Sequence, residues 1–320
     1  MRGRAEQQEC RGHGRRDGRR AGLKPASARL TDELPSQLDQ LDAHLAAAEA
    51  RLLDVTPGAE KQIVWGPAGR VRAPWAVVYL HGFTATRQEM APLPELLAQG
   101  LGGHVFYTRL TGHGRPGAAM AGMSVAQWQA DALEALAVGH QLGERVLVMG
   151  TSTGATLAAW AALQPQGHDV AAWVLVSPNF GPKDRFATLI NWAWGRALIH
   201  WVHGGVMRYQ PGNPAKARFW THEYPTSALD PMMSLVRQVR ASRLEAVTAP
   251  LLMLLSPRDS VINVADARAA FKRFGSAVKC LIEVDYSESA GQHVLAGDIE
   301  APKATATMAA QVLAFAQNLR

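Results

Sequence analysis

Three side chains in this 320-residue sequence could together cleave an acyl bond: Ser152, Asp259 and His293. A serine hydroxyl is a poor nucleophile at neutral pH, so it needs a base to take its proton and a third group to orient that base. Ser152 stands in Gly150-Thr151-Ser152-Thr153-Gly154, after an apolar run at 146–150 and before Ala155-Thr156-Leu157-Ala158-Ala159-Trp160. The pattern reads as a strand, a tight turn and a helix. Glycine two residues to either side relieves crowding at the apex of such a turn and leaves the hydroxyl exposed. The helix start also offers free N–H groups and the positive end of a dipole to incoming negative charge. A five-residue motif is short, and its bland alternative is a serine in an ordinary loop. The case therefore depends on the partners.

His293, in Gly291-Gln292-His293-Val294, is the only histidine after residue 222 and falls between the last expected strand and the last expected helix. Asp259 follows an apolar strand in Ser256-Pro257-Arg258-Asp259-Ser260-Val261. That is the carboxyl edge, where open α/β sheets place their sites. Asp285 and Glu288, on the loop that carries His293, and Asp230 further upstream are rival acids. A tetrahedral intermediate needs two backbone donors for its oxyanion. Thr153 N–H, at the helix start, is one candidate, and Phe83 N–H, after His81-Gly82, is the other. His81 and His113 read as structural side chains that tie down loops by hydrogen bonding.

The elements that must position these groups alternate between strand and helix. Ser36 with Asp39 suggests a capping box, and Leu38, Leu41, Leu45, Ala48 and Leu52 form one helical face. A first strand is expected at 61–65. Trp75-Ala76-Val77-Val78-Tyr79-Leu80 has the continuous apolar character of a parallel strand buried on both faces. A helix at 88–100, a strand at 104–107, the loop Gly112-His113-Gly114 and a helix at 124–142 lead to the serine motif. Further strands are expected at 171–176, 250–256 and 279–284, with helices at 264–274 and 301–318. This order predicts an α/β fold with a mostly parallel central sheet and helices on both faces.

The alternation breaks at 180–247, which shows no strand pattern and holds Trp192, Trp194, Trp201 and Trp220. Phe186, Ile190, Ala193, Ala197 and Trp201 make one helical stripe, with Trp192 off it. The segment reads as a helical cap inserted into a core of 31–179 and 248–320, with Trp192, Trp194 and Trp201 facing a substrate cavity. Arg185, Arg196, Arg208 and Arg218 read first as solvated. If they ringed the cavity mouth instead, the substrate would carry an anionic head and a hydrophobic tail.

The net charge of +6 is unevenly spread: +6 over 1–29, −5 over 30–179, +5 over 180–247 and zero over 248–320. The catalytic body is not basic, so no nucleic-acid partner is expected. Residues 1–30 form an Arg- and Gly-rich extension without the apolar run of a secretory signal, expected to be disordered. Two distant cysteines, Cys10 and Cys280, make no disulfide framework, which suits a reducing, cytoplasmic location. No metal-ligand spacing and no phosphate-cradling loop appear, so no metal and no cofactor are expected.

Taken together, His81-Gly82-Phe83, Gly112-His113-Gly114, Gly150-Thr151-Ser152-Thr153-Gly154, Asp259 and His293 resemble the α/β-hydrolase superfamily over about residues 61–320. The cap position after Ser177-Pro178 is similar to that of the monoacylglycerol lipase, lysophospholipase and bacterial carboxylesterase group. The resemblance implies cofactor-free hydrolysis of a small-molecule acyl ester. The paired threonines around Ser152 depart from the neighbours these relatives more often carry. An aminopeptidase-like amide hydrolase and a non-catalytic ligand-binding protein on the same fold are the alternatives. Serine rather than aspartate at residue 152 disfavours dehalogenase chemistry. The cap's composition allows weak contact with a lipid or membrane surface.

Overall fold

The computed structural model describes residues 34–184 and 192–319. The expected disordered extension, Cys10 and the Arg185, Phe186 and Ile190 positions lie outside them. The first helix, α1 (Leu38–Glu49), buries Leu41 and Leu45. It begins at an extended Gln37 without a side-chain cap, so the expected Ser36–Asp39 capping box does not form. The sheet strands are β1 (Gln62–Val64), β2 (Ala73–Leu80), β3 (His104–Tyr107), β4 (Gly143–Thr151) and β5 (Ala172–Val176). Between them lie α2 (Leu93–Leu101), α3 (Val125–Leu142) and α4 (Thr153–Ala161). The helix expected at 88–100 is shorter because Pro92 and Pro94 confine its start, and a single 3-10 turn at Arg87–Glu89 precedes it. α3 begins on a formed capping box between Ser124 and Gln127.

The segment after β5 contains α5 (Ala193–Val202), β6 (Val206–Arg208), α6 (Pro214–Phe219), β7 (Glu223–Pro225) and α7 (Leu229–Ala241). β6 and β7 pair antiparallel as a two-stranded ribbon, which corrects the expectation of a purely helical segment. Strands of three residues are too short to show an alternation in sequence. The chain then returns through β8 (Leu251–Leu255), α8 (Val264–Arg273), β9 (Lys279–Glu283) and α9 (Pro302–Gln317).

The main sheet has seven strands in the order β1-β3-β2-β4-β5-β8-β9. β1 runs antiparallel to β3 and every other neighbouring pair is parallel. Period-two alternation sends side chains to opposite faces. Ala76, Val78, Val146, Val148, Trp173 and Leu175 join a core with α3 and α4. Val77, Tyr79, Leu147, Met149, Val174 and Val176 join the other core, with α2 and α9. Two-sided burial makes β2, β4, β5 and β8 rigid supports for the loops at their carboxyl ends. Among the described residues no helix is long and apolar enough to cross a membrane.

Candidate active site

The loops after β2, β4, β8 and β9 meet at the carboxyl edge of the sheet. Ser152 sits at the sharp junction of β4 and α4 with φ 53° and ψ −116°. A non-glycine residue held there stores on the order of 1–3 kcal/mol of strain. Surrounding bonds hold the conformation: Ser152 N–H donates to Val176 O, and Ser152 O accepts from the N–H groups of Asn179 and Thr156. The flanking glycines are sterically required. A Cβ on Gly150 would lie 2.6 Å from Gly154 O, and one on Gly154 would lie 2.1 Å from Leu80 O. The turn can therefore be this tight only with glycine at both positions.

His293 Nδ1 lies 2.8 Å from Asp259 Oδ2. The other carboxylate oxygen, Oδ1, accepts from Val261 N–H at 2.7 Å and Ile262 N–H at 3.0 Å. Asp259 is only 2% exposed, and these three donors compensate the burial of its charge. With Nδ1 turned to a carboxylate, the proton of neutral His293 belongs on Nδ1, which leaves Nε2 free to accept. Among the described residues no rival acid bonds to His293. Glu288 Oε1 accepts from Lys303 N–H, Asp285 meets Arg258 only through its backbone carbonyl, and Asp230 faces Arg196 at 3.8 Å.

The His293 loop is fastened to the Asp259 loop by a residue that sequence reasoning passed over. Gln292 accepts from Ser256 Oγ through Oε1 and donates through Nε2 to the carbonyls of Ser287 and Ser289. Its own φ is 51°. Ser260 adds two bonds to Gly291 O, one from its N–H and one from its hydroxyl.

Phe83 and Thr153 line the same cavity as Ser152 and His293. Among the described residues neither backbone N–H has an acceptor, so both are available to a ligand oxygen. His81 holds the Phe83 loop: its Nε2 accepts from Leu110 N–H at 3.0 Å, so Nδ1 carries the proton and donates to Gly82 O at 2.9 Å. Burial pushes its pKa well down, and that of His113 down to about 4. Both imidazoles are thus neutral supports.

The cavity holds about 720 Å³. Tyr209, Trp220, Tyr224 and Met232, from the segment between β5 and β8, line it together with Ser152. Trp192, Trp194 and Trp201 do not. They are 53, 60 and 79% exposed and lie outside the cavity wall, which corrects their expected place. Helical spacing shows that α5 is apolar on more than one side, but it does not show which side meets the core. Among the described residues Arg196, Arg208 and Arg218 do not line the cavity, so the alternative of a cationic ring at its mouth finds no support there. Arg208 pairs with Glu223, Arg218 donates to Pro57 O, and the lining lysine, Lys216, is 2.9 Å from Glu300.

The profile of the Hydrolase_4 family, described as serine aminopeptidase, S33, matches residues 72–287. The chain belongs to this family. It is 27% identical over 231 residues to a thermostable monoacylglycerol lipase from Bacillus sp. (strain H-257), covering 72% of this chain and 86% of that protein. A solved structure from work on LipS and LipT, two metagenome-derived lipolytic enzymes, superposes with a TM-score of 0.65 at 22% identity. It covers 82% of this chain and 99% of that one. A monoacylglycerol lipase from Paleococcus ferrophilus superposes with a TM-score of 0.60 at 15% identity, covering 81% and 98%. At such identities the superpositions show the α/β-hydrolase fold, and the chemistry has to be argued from the site.

Proposed function

We propose that this Hydrolase_4 protein is a serine esterase that cleaves a neutral, hydrophobic acyl ester through an acyl-enzyme on Ser152. The observation that carries the reading is His293, held 2.8 Å from the buried Asp259 and lining one cavity with Ser152 and, among the described residues, two unengaged backbone donors. Ser152 Oγ attacks the ester carbonyl carbon while its proton passes to His293 Nε2. The carbonyl electron pair becomes an oxyanion that accepts from the N–H groups of Phe83 and Thr153. Collapse of this intermediate breaks the C–O bond, and His293 returns the proton to the departing alcohol. Water, deprotonated by His293, then releases the acid and restores Ser152. Asp259 stays ionised throughout and stabilises the imidazolium.

Residues 180–247 act in this reading as the cap, with Trp220, Tyr224 and Met232 as an apolar wall. The neutral substrate follows from electrostatics. Lys216 is balanced by Glu300, which among the described lining residues leaves no unpaired lysine or arginine to recruit an anionic head. The amide alternative needs an acidic group for a substrate amine. Glu300 is paired with Lys216, while Glu288 lines the cavity with Oε1 held by Lys303 N–H, so turnover of an aminoacyl amide is the measurement that tests this alternative. The relative from Bacillus sp., a monoacylglycerol lipase, is consistent with an ester of this kind. Trp192 and Trp194, with ring centroids 6.2 Å apart, and the exposed Trp201 give the cap a face suited to weak contact with a lipid surface.

Two measurements test the substrate class. Over p-nitrophenyl esters of graded chain length, kcat/KM should rise about fourfold per methylene, the worth of ~0.8 kcal/mol per buried CH₂, until the apolar wall is filled. Peak activity on acetyl, or faster turnover of an aminoacyl amide, would contradict the assignment. For an anionic and a neutral ester of equal chain length, kcat/KM should show the same weak salt dependence as salt passes ~0.1 M, where the Debye length is ~10 Å. A steeper fall for the anionic ester would restore a cationic mouth.

A further inference from the structure

One buried carboxylic acid beside the site has no part in the reaction just described. Glu89, in the 3-10 turn after β2, is 2% exposed and reaches the cavity wall. Its Oε2 accepts from Gly82 N–H at 2.7 Å and from the Tyr79 hydroxyl at 2.8 Å. Tyr79 is wholly buried, and with its proton given to Glu89 its hydroxyl oxygen accepts from Thr151 Oγ1, 3.1 Å away. Gly82 precedes Phe83, and Thr151 precedes Ser152 and Thr153. The chain Gly82–Glu89–Tyr79–Thr151 therefore joins the two backbone segments that carry the two oxyanion donors. The fit is close: a Cβ on Gly82 would lie 2.6 Å from Glu89 Oε1.

We propose that Glu89 and Tyr79 are positioning residues, a strut that sets the distance between the Phe83 and Thr153 N–H groups and so shapes the oxyanion hole. The inference rests on the serine-hydrolase reading and deepens it. Oxyanion stabilisation demands donors placed for the transition state rather than for the substrate carbonyl. A loop free to shift would lose that placement. Gly82 and Thr151 lie on separate elements, at the ends of neighbouring strands β2 and β4, so no local turn couples them.

A full negative charge behind an oxyanion hole would oppose the charge that develops there. Burial answers this by pushing the Glu89 carboxyl up to about 7, against the pull of Gly82 N–H, the Tyr79 hydroxyl, His293 and Lys216. Near neutral pH much of the carboxyl is protonated, and it can brace the loop without a fixed anion. A glutamine, neutral and of the same shape, should then serve nearly as well.

The experiment compares wild type, Ser152→Ala, Glu89→Ala, Glu89→Gln and Tyr79→Phe on one p-nitrophenyl ester, with melting temperatures for each. Glu89→Ala should lower kcat by about 10²-fold, the scale of one misplaced oxyanion donor, with KM little changed. Tyr79→Phe, which keeps the Glu89–Gly82 contact but cuts the link to Thr151, should lower kcat about tenfold at constant KM, a partial loss of the same donor alignment. Glu89→Gln should recover most of the loss. A trifluoromethyl ketone, which forms a tetrahedral adduct on serine, should lose affinity in Glu89→Ala in proportion to kcat. Wild-type kcat in folded Glu89→Ala and Tyr79→Phe, or a change in KM alone, would overturn the strut while the Ser152 chemistry stands. Should Glu89→Ala not fold, Tyr79→Phe and Glu89→Gln decide the question by the same criteria. Ester turnover that survives Ser152→Ala would overturn the serine-hydrolase reading and the strut with it.

Discussion

Ser152→Ala is expected to lower kcat for a p-nitrophenyl ester by about 10⁶-fold while leaving the fold intact, the scale of losing the nucleophile from a triad enzyme. The size of the effect follows from the division of labour in the site. Without Oγ, the proton acceptor at His293 Nε2 has no hydroxyl to activate, and no covalent intermediate divides the barrier in two. What survives is binding and oxyanion stabilisation of a direct attack by water. The melting temperature should barely move. Among the described residues the bonds that hold the turn are made by Ser152 N–H and Ser152 O rather than by Oγ. Steady-state turnover beside a thermal melt checks both halves of the expectation. A loss under tenfold would mean that another residue carries the acyl group.

Asp259→Asn should cost about 10⁴-fold in kcat, the effect of presenting the base in the wrong tautomer. Here the structure dictates the orientation of the substituted amide. The N–H groups of Val261 and Ile262 already demand an acceptor at Oδ1. The amide oxygen must stay there, so its NH₂ turns to His293 Nδ1. Nδ1 then has to accept, the ring proton moves to Nε2, and His293 can no longer take the serine proton. Asp285→Asn and Glu288→Gln, at carboxylates that make no bond to His293 among the described residues, should keep turnover of wild-type order. Kinetics of the three variants decide the acid. An active Asp259→Asn with a dead Glu288→Gln would move the assignment to the other loop.

The sheet was largely legible in the sequence because burial on both faces leaves continuous apolar runs, as in β2, β4 and β8. The meeting of the loops that carry Ser152, Asp259 and His293 was legible from the order of strands and helices. Each follows a parallel strand, two-sidedly buried for β4 and β8 and only partly buried for β9, and the parallel topology brings the carboxyl ends of the three to one edge. The cap was not legible in the same way. Its ribbon pairs Val206 with Pro225 and Arg208 with Glu223, a register that three-residue strands do not announce. Its cavity-facing side chains, Tyr209, Trp220 and Tyr224, share no helical stripe. The conspicuous tryptophans of α5 face outward instead.

Charge pairing was hidden too. Lys216 and Glu300 stand 84 residues apart, and only the folded chain shows that they neutralise each other in the cavity wall. Glu89 left one faint signal: Tyr79 lies in the continuous apolar run 75–80, and a buried phenol needs a partner. The sequence alone offers no means of choosing Glu89 among the acids.

The central claim is that Ser152 becomes acylated, and covalent trapping tests it most directly. Incubation with a fluorophosphonate should form a phosphorus–oxygen bond to Ser152 with loss of fluoride. Intact-mass spectrometry should then show one adduct, and peptide mapping should place it on the segment containing Ser152. Labelling should be slowed sharply in His293→Ala and be absent in Ser152→Ala. A folded wild-type protein that takes no label, or takes it on another serine, would contradict the account.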